Sequence, residues 1–116
     1  MQLNDLLFWV LTAFVVVMVV RMFLASRNRI SASEARAKVD AGGLLLDVRS
    51  PGEFSAGALP GARNIPVQSL GSRLGELPKG KPIVVYCASG MRSASALGLL
   101  KKNGFDAYDL GPASRW

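Results

Sequence analysis

The sequence predicts an α/β domain with a mostly parallel central sheet, preceded by one transmembrane helix. Three features point that way. Leu6 to Val20 is a run of apolar residues interrupted only by Thr12. Leu44 to Val48 and Ile83 to Tyr86 are short apolar runs, the pattern of strands covered on both faces. Segments with helix starts, helix formers and glycine stops alternate with these runs, and strands that alternate with helices build parallel sheets.

The chain has 116 residues, of which 50% are hydrophobic, and a formal net charge of +6. That length suits one soluble domain, and the hydrophobic excess lies at the N-terminus. Arg21 breaks the first apolar run, and Met22 to Ala25 continues it. As a helix, residues 6–24 would cover roughly 28 Å at ~1.5 Å per residue, close to a hydrocarbon core of ~30 Å. Arg21 can snorkel to headgroups at one end, and Trp9 suits the interface at the other. A cleaved signal peptide needs a positive start and a small-residue cleavage site. Met1 to Asp5 is acidic and no clear A-x-A site follows, so an uncleaved, single-pass anchor in the inner membrane is expected. Arg21, Arg27 and Arg29 all lie on the C-terminal flank, which puts the rest of the chain in the cytoplasm by the positive-inside tendency. No Lys/Arg block is interleaved with aromatics, so no nucleic-acid partner is expected. Residues 1–30 are therefore read as the transmembrane helix with a polar, basic linker over Ser26–Ile30, and residues 31–116 as the folded domain.

Within that domain, Ser31 with Glu34 matches a capping box, and the helix it opens should run to about Ala41 and stop at Gly42. The strand from Leu44 follows, with Asp47-Val48-Arg49 at its carboxyl end. Ser50 with Glu53 forms another capping box, with Pro51 at the favoured first helical position. Gly57 to Ala62 reads as loop, and Arg63 to Pro66 as a brief strand. Gln68 to Leu77 reads as a loose helix weakened by Gly71 and Gly75. Pro78 to Lys81 reads as a solvated turn. After the Ile83 strand, Met91 to Lys102 is a helix with Leu97, Leu99 and Leu100 on its apolar side. Asn103-Gly104 stops it, and Phe105 to Leu110 suggests a last strand ended by Gly111-Pro112.

The chemistry concentrates where the Ile83 strand runs into that helix. Cys87 is the only cysteine, and the chain has no histidine. A disulfide, a Cys–His pair and a metal site are all disfavoured by that composition, and no cofactor is expected. Any activation of Cys87 must come from its surroundings. A helix N-terminus offers unpaired N–H groups and the positive end of a dipole, which favours a thiolate. Gly90 permits the tight turn that aims N–H groups inward, and Arg92 adds a permanent positive charge. The competing reading is a small buried hydrophobe at a strand end. Sites in such sheets form beyond the carboxyl ends of strands, where both Asp47-Val48-Arg49 and Cys87 to Arg92 fall. Asp47 and Arg49 are read as ties between loops that support the site, and Glu53 is explained by its cap.

Taken together, these segments resemble the rhodanese family of sulfurtransferases. Leu45 to Arg49 with Glu53-Phe54, Gly57 to Pro66, Cys87-Ala88-Ser89-Gly90-Met91-Arg92, and Leu110-Gly111 with Trp116 follow the family's pattern in order. The resemblance implies a rhodanese-like three-layer domain. It implies that Cys87 attacks the outer sulfur of a small anionic donor such as thiosulfate, and that a thiol or cyanide acceptor then takes that sulfur. Ala88, Ser89, Gly90 and Met91 would form the substrate-binding loop, with Arg92 holding it and attracting the donor. Ala58 stands where the family often has histidine. Ala88 stands where thiosulfate-active members often carry Arg or Lys, which lowers the positive charge offered to thiosulfate. The alternative is a catalytically weak binding module of the same fold at the membrane. A phosphatase of related fold would need one more residue between the cysteine and the arginine, and a histidine before the cysteine.

Overall fold

A computed structural model describes every residue from Met1 to Trp116. Helix α1 spans Leu3–Arg27, and none of its residues is buried. It is the one helix long and apolar enough to cross a membrane. Apolar side chains cover its whole circumference, as in helices that are surrounded by lipid or by a large core. The body it projects from is small enough that the molecule measures 59 × 31 × 29 Å.

The stretch expected as a linker is divided between two structured parts. Ser26 still belongs to α1, its hydroxyl donating to the Phe23 carbonyl at 2.7 Å. Arg29 forms a parallel bridge to Asp109, and the Ile30 N–H donates to the Asp109 carbonyl at 2.9 Å. Polar composition made this segment look solvated, but its backbone pairs with the domain.

Helix α2 (Ala32–Asp40) starts at Ser31, whose hydroxyl accepts the Glu34 N–H at 3.1 Å. Strand β1 (Leu44–Asp47) is followed by α3 (Pro51–Ala56), which opens on a full capping box between Ser50 and Glu53. Strand β2 is only Arg63–Asn64. The loose helix expected over Gln68–Leu77 is instead a single turn, α4 (Val67–Leu70), and a separate 3₁₀ turn at Leu74–Glu76. Gly71 and Gly75 favour that break, since glycine costs about 1 kcal/mol in a helix interior. Strand β3 (Ile83–Cys87) carries the cysteine as its last residue. Helix α5 (Met91–Lys102) and strand β4 (Ala107–Pro112) follow, and a 3₁₀ turn over Ala113–Arg115 leads to Trp116. Gly111, at φ 87°, lets β4 run past Leu110, where it had been expected to stop, with a register shift against Val85/Tyr86.

All four strands are parallel, in the order β2-β1-β3-β4. One face packs Leu46, Ile83, Val85 and Cys87 under Ala96, Leu97 and Leu100 of α5. The other packs Leu45, Val84, Tyr86 and Leu110 under Ala35 of α2, with Trp116 partly buried beside them. The result is the expected three-layer α/β sandwich. Because strand side chains alternate, Tyr86 and Cys87 point to opposite layers.

Two glycines test this packing in opposite senses. A Cβ on Gly43 would meet the Lys38 and Pro82 carbonyl oxygens at 2.6 and 2.8 Å. Gly43→Ala should therefore destabilise the domain by about 2 kcal/mol or more, the range of overpacking. Gly98 lies inside α5 with open space around it. Gly98→Ala should add roughly 0.5–1 kcal/mol through helix propensity. Denaturant unfolding of the two variants beside the parent chain measures both.

Candidate active site

Cys87 reaches its position because β3 ends there and its side chain falls on the α5 face. The backbone then turns through Ala88 and Ser89, both exposed, to Gly90 at φ 99°, ψ −5°. That left-handed conformation suits glycine and places Gly90 as the N-cap of α5. The turn brings the Gly90 N–H to 3.0 Å from the Cys87 Sγ, and the Ser93 N–H to 3.4 Å. The Ser93 hydroxyl donates back to the Gly90 carbonyl at 3.2 Å, which fixes the turn. Two donors at the positive end of a helix thus converge on one sulfur, an arrangement that favours negative charge there.

The amide ring differs from the one read in the sequence. Of residues 88–92, only Gly90 donates to the sulfur, and Ser93 supplies the other N–H. Ala88, Ser89 and the 43%-exposed Met91 form the outer surface of the loop. Cys87 itself has no exposed surface, and neither of the two surface depressions adjoins it.

Arg92 lies in the first turn of α5 but is committed to an ion pair. Its Nη1 and Nη2 donate to Glu53 Oε1 and Oε2 at 2.7 and 3.0 Å. Glu53 Oε1 also accepts the Ser50 N–H at 3.2 Å. Glu53 is therefore more than a cap: it joins the start of α3 to the start of α5 beside the cysteine. The Arg92 guanidinium, then the Ser50 N–H, hold its carboxyl down to about 2. Arg92 is pushed up chiefly by its hydrogen bonds to Glu53.

Asp47 and Arg49 lie on the other side of the sheet from the Cys87 sulfur. The Arg49 Nε donates to both Asp47 oxygens at 3.0 Å, and Nη2 to Oδ2 at 2.7 Å. Arg49 Nη2 also donates to the Gly57 carbonyl at 2.8 Å. The buried Tyr86 hydroxyl donates to Asp47 Oδ2 at 2.8 Å and accepts the Leu59 N–H at 3.1 Å. Asn64 donates to the Asp47 and Arg49 carbonyls at 3.0 and 2.9 Å. This network ties the loops after β1 and around residues 57–59 to the end of β3. Hydrogen bonding to Asp47 raises Arg49, and burial raises Tyr86. Tyr86 had no assigned role in the sequence, since nothing local links it to a carboxylate 39 residues earlier.

A model of the rhodanese-like domain matches residues 31–111. This chain belongs to the rhodanese-like family. It is 32% identical to the thiosulfate sulfurtransferase GlpE of Stutzerimonas stutzeri, over 72% of this chain and 77% of that one. It is 39% identical to a sulfurtransferase of Allochromatium vinosum, over 53% of this chain and 58% of the other. The solved structure of the human single-domain sulfurtransferase TSTD1 superposes with a TM-score of 0.68 at 31% identity, covering 77% of this chain and 94% of that one. The chain spans 59% and 58% of the length of two curated relatives it matches.

In this rhodanese-like domain the Glu53–Arg92 pair has a defined pH signature. Glu53 is depressed from an ordinary 4.5 to about 2 in the folded chain. Its contribution to stability is thus present above about pH 4.5 and lost as pH falls toward 2. The difference in melting temperature between the parent and Glu53→Gln should be constant above pH 4.5 and vanish on acidification across that window. Melting curves across the acid range measure it.

Proposed function

We propose that the chain is a membrane-anchored sulfurtransferase that carries sulfane sulfur on Cys87. The observation that supports it most is the pair of N–H groups, from Gly90 and Ser93, aimed at one sulfur at the start of α5. The names of the sulfurtransferase relatives support the same chemistry. In the forward step the Cys87 thiolate attacks the outer sulfur of a donor such as thiosulfate. A new S–S bond forms, the donor's S–S bond breaks, and sulfite leaves with the electron pair. The terminal sulfur of the persulfide carries the negative charge, while the Gly90 and Ser93 N–H groups meet the Cys87 Sγ, where they favour the thiolate that attacks and leaves. A thiolate or cyanide acceptor then attacks that sulfur and regenerates Cys87. No proton-transfer base is required, which agrees with a chain lacking histidine.

Arg92 holds the loop through Glu53 and adds positive potential at the mouth of the site. Ala88, Ser89 and Met91 form the surface that meets the donor. Cys87 has no exposed surface, so in this reading the donor requires the Ala88, Ser89 and Met91 side of the loop to open while the Gly90 and Ser93 amides stay on the sulfur. The burial of Cys87 is also the observation that favours the second reading, a rhodanese-fold binding module with little turnover.

One mass measurement separates the two. Thiosulfate should add about 32 Da to the full chain, one sulfur atom on the thiol. Dithiothreitol should remove it, and Cys87→Ser should never gain it. Arg92→Ala should load sulfur roughly 10-fold more slowly, by loosening a charged, partly buried contact. An unmodified mass after prolonged exposure to thiosulfate supports the binding module.

Helix α1 anchors the chain in the inner membrane, with the domain in the cytoplasm, where a single thiol stays reduced. Full-length chain should resist extraction by carbonate and yield to detergent. A chain starting at Asn28 should be soluble. Recovery of that shortened chain in the membrane fraction would overturn the anchor assignment.

A further inference from the structure

The side chain of Arg29 lies behind the Cys87 loop, in a slot between two glycines. A Cβ on Gly90 would collide with the Arg29 Nη2 and stand 2.9 Å from Cζ. A Cβ on Gly111 would stand 2.6 Å from Nε and 2.7 Å from Cδ. Both glycines have positive φ, 99° and 87°, so each backbone needs the conformation and each contact needs the missing side chain. Arg29 Nε is buried there with no hydrogen-bond partner, and so is Asp109 Oδ2. Burial pushes the Asp109 carboxyl up, and the nearby Ser93, the Gly111 N–H and the Arg29 charge only partly offset it. The backbone on both sides is held as well. The Ile30 N–H donates to Asp109, and Arg115 Nη2 donates to the Ile30 carbonyl at 2.9 Å.

This guanidinium therefore presses on Gly90, the residue whose N–H reaches the Cys87 sulfur at 3.0 Å. A narrow slot with glycine on two sides accepts a flat group, and guanidinium is the flat cation among side chains. Arg29 follows the end of α1 by two residues, and α1 lies beside α5.

We propose that Arg29 is a positioning residue for the Cys87 loop: wedged between Gly90 and Gly111, it holds the left-handed turn at Gly90, aims that N–H at the sulfur, and ties the loop to the N-terminal helix. For catalysis this rests on the sulfurtransferase reading, but the contact itself is measurable without any sulfur transfer.

The test uses full-length protein in detergent micelles and hydrogen exchange at individual amides. In Arg29→Ala the Gly90 amide should exchange about 10-fold faster or more, while amides of β1 and β3 keep their parent rates, the signature of local rather than global opening. Arg27→Ala, which removes a neighbouring charge at the end of α1, should leave Gly90 unchanged. Arg29→Lys keeps the charge but not the plane and should also speed Gly90 exchange, so it decides the matter alone if Arg29→Ala does not fold. Parent-like exchange at Gly90 in the folded variants, or acceleration shared by the whole domain, overturns the proposal. In sulfur loading from thiosulfate, Arg29→Ala should lose roughly 10-fold in kcat with KM little changed, because a misaimed donor acts on the charged transition state rather than on donor binding. A parent chain that takes up no sulfur refutes the sulfurtransferase reading, while the exchange rates still decide the role of Arg29.

Discussion

Successive residues of a strand face opposite sides of the sheet, and this constraint organises the domain at the end of β3. Tyr86 turns to one layer and Cys87 to the other. On the Tyr86 side, a buried carboxylate bonds both a buried hydroxyl and a guanidinium, and these two bond the loops above them. On the Cys87 side there is one sulfur and a short turn. A satisfied polar network is rigid because each member would lose its partner on moving. The turn thus starts from a fixed floor, and its few residues need only the conformation at Gly90 to deliver an N–H to the sulfur.

Charge near the sulfur is managed by pairing. Arg92 spends its hydrogen bonds on Glu53, so its contribution at Cys87 is positive potential rather than a direct bond. The amides of Gly90 and Ser93 already point at the sulfur, so in the proposed reaction they are fixed dipoles that need no rearrangement as charge builds. The same pair joins the starts of α3 and α5, so the carboxyl end of β1 and that of β3 are braced at one point.

Much of the scaffold was legible because its signals are local. Ser31 and Ser50 announced their helices, Gly42 a stop, and the apolar runs at Leu44 and Ile83 the central strands. Cys87 and Gly90 stood out through residue type and position at a strand-to-helix turn. What stayed hidden is carried by contacts between distant positions. Glu53 looked complete as a cap, and only the folded chain shows it clamping an arginine 39 residues away. Arg29 looked like one of three membrane-flank charges, since nothing beside it in the sequence mentions Gly90 or Gly111. The region after Pro66 failed for a different reason. Helix propensity there is weak, and Leu70 and Leu77 are buried by tertiary packing that two short turns satisfy as well as one helix.

The bridge between Arg29 and Asp109 also settles the fate of an open sheet margin. Strand β4 is the last in the order, and its outer side would present free amides and carbonyls to any passing strand. The chain arriving from α1 lies along that margin and occupies it at Asp109. The opposite margin, β2, is only two residues long. At Asp109 the edge is already paired, so the segment that joins helix to domain leaves less of β4 open to a strand from another molecule.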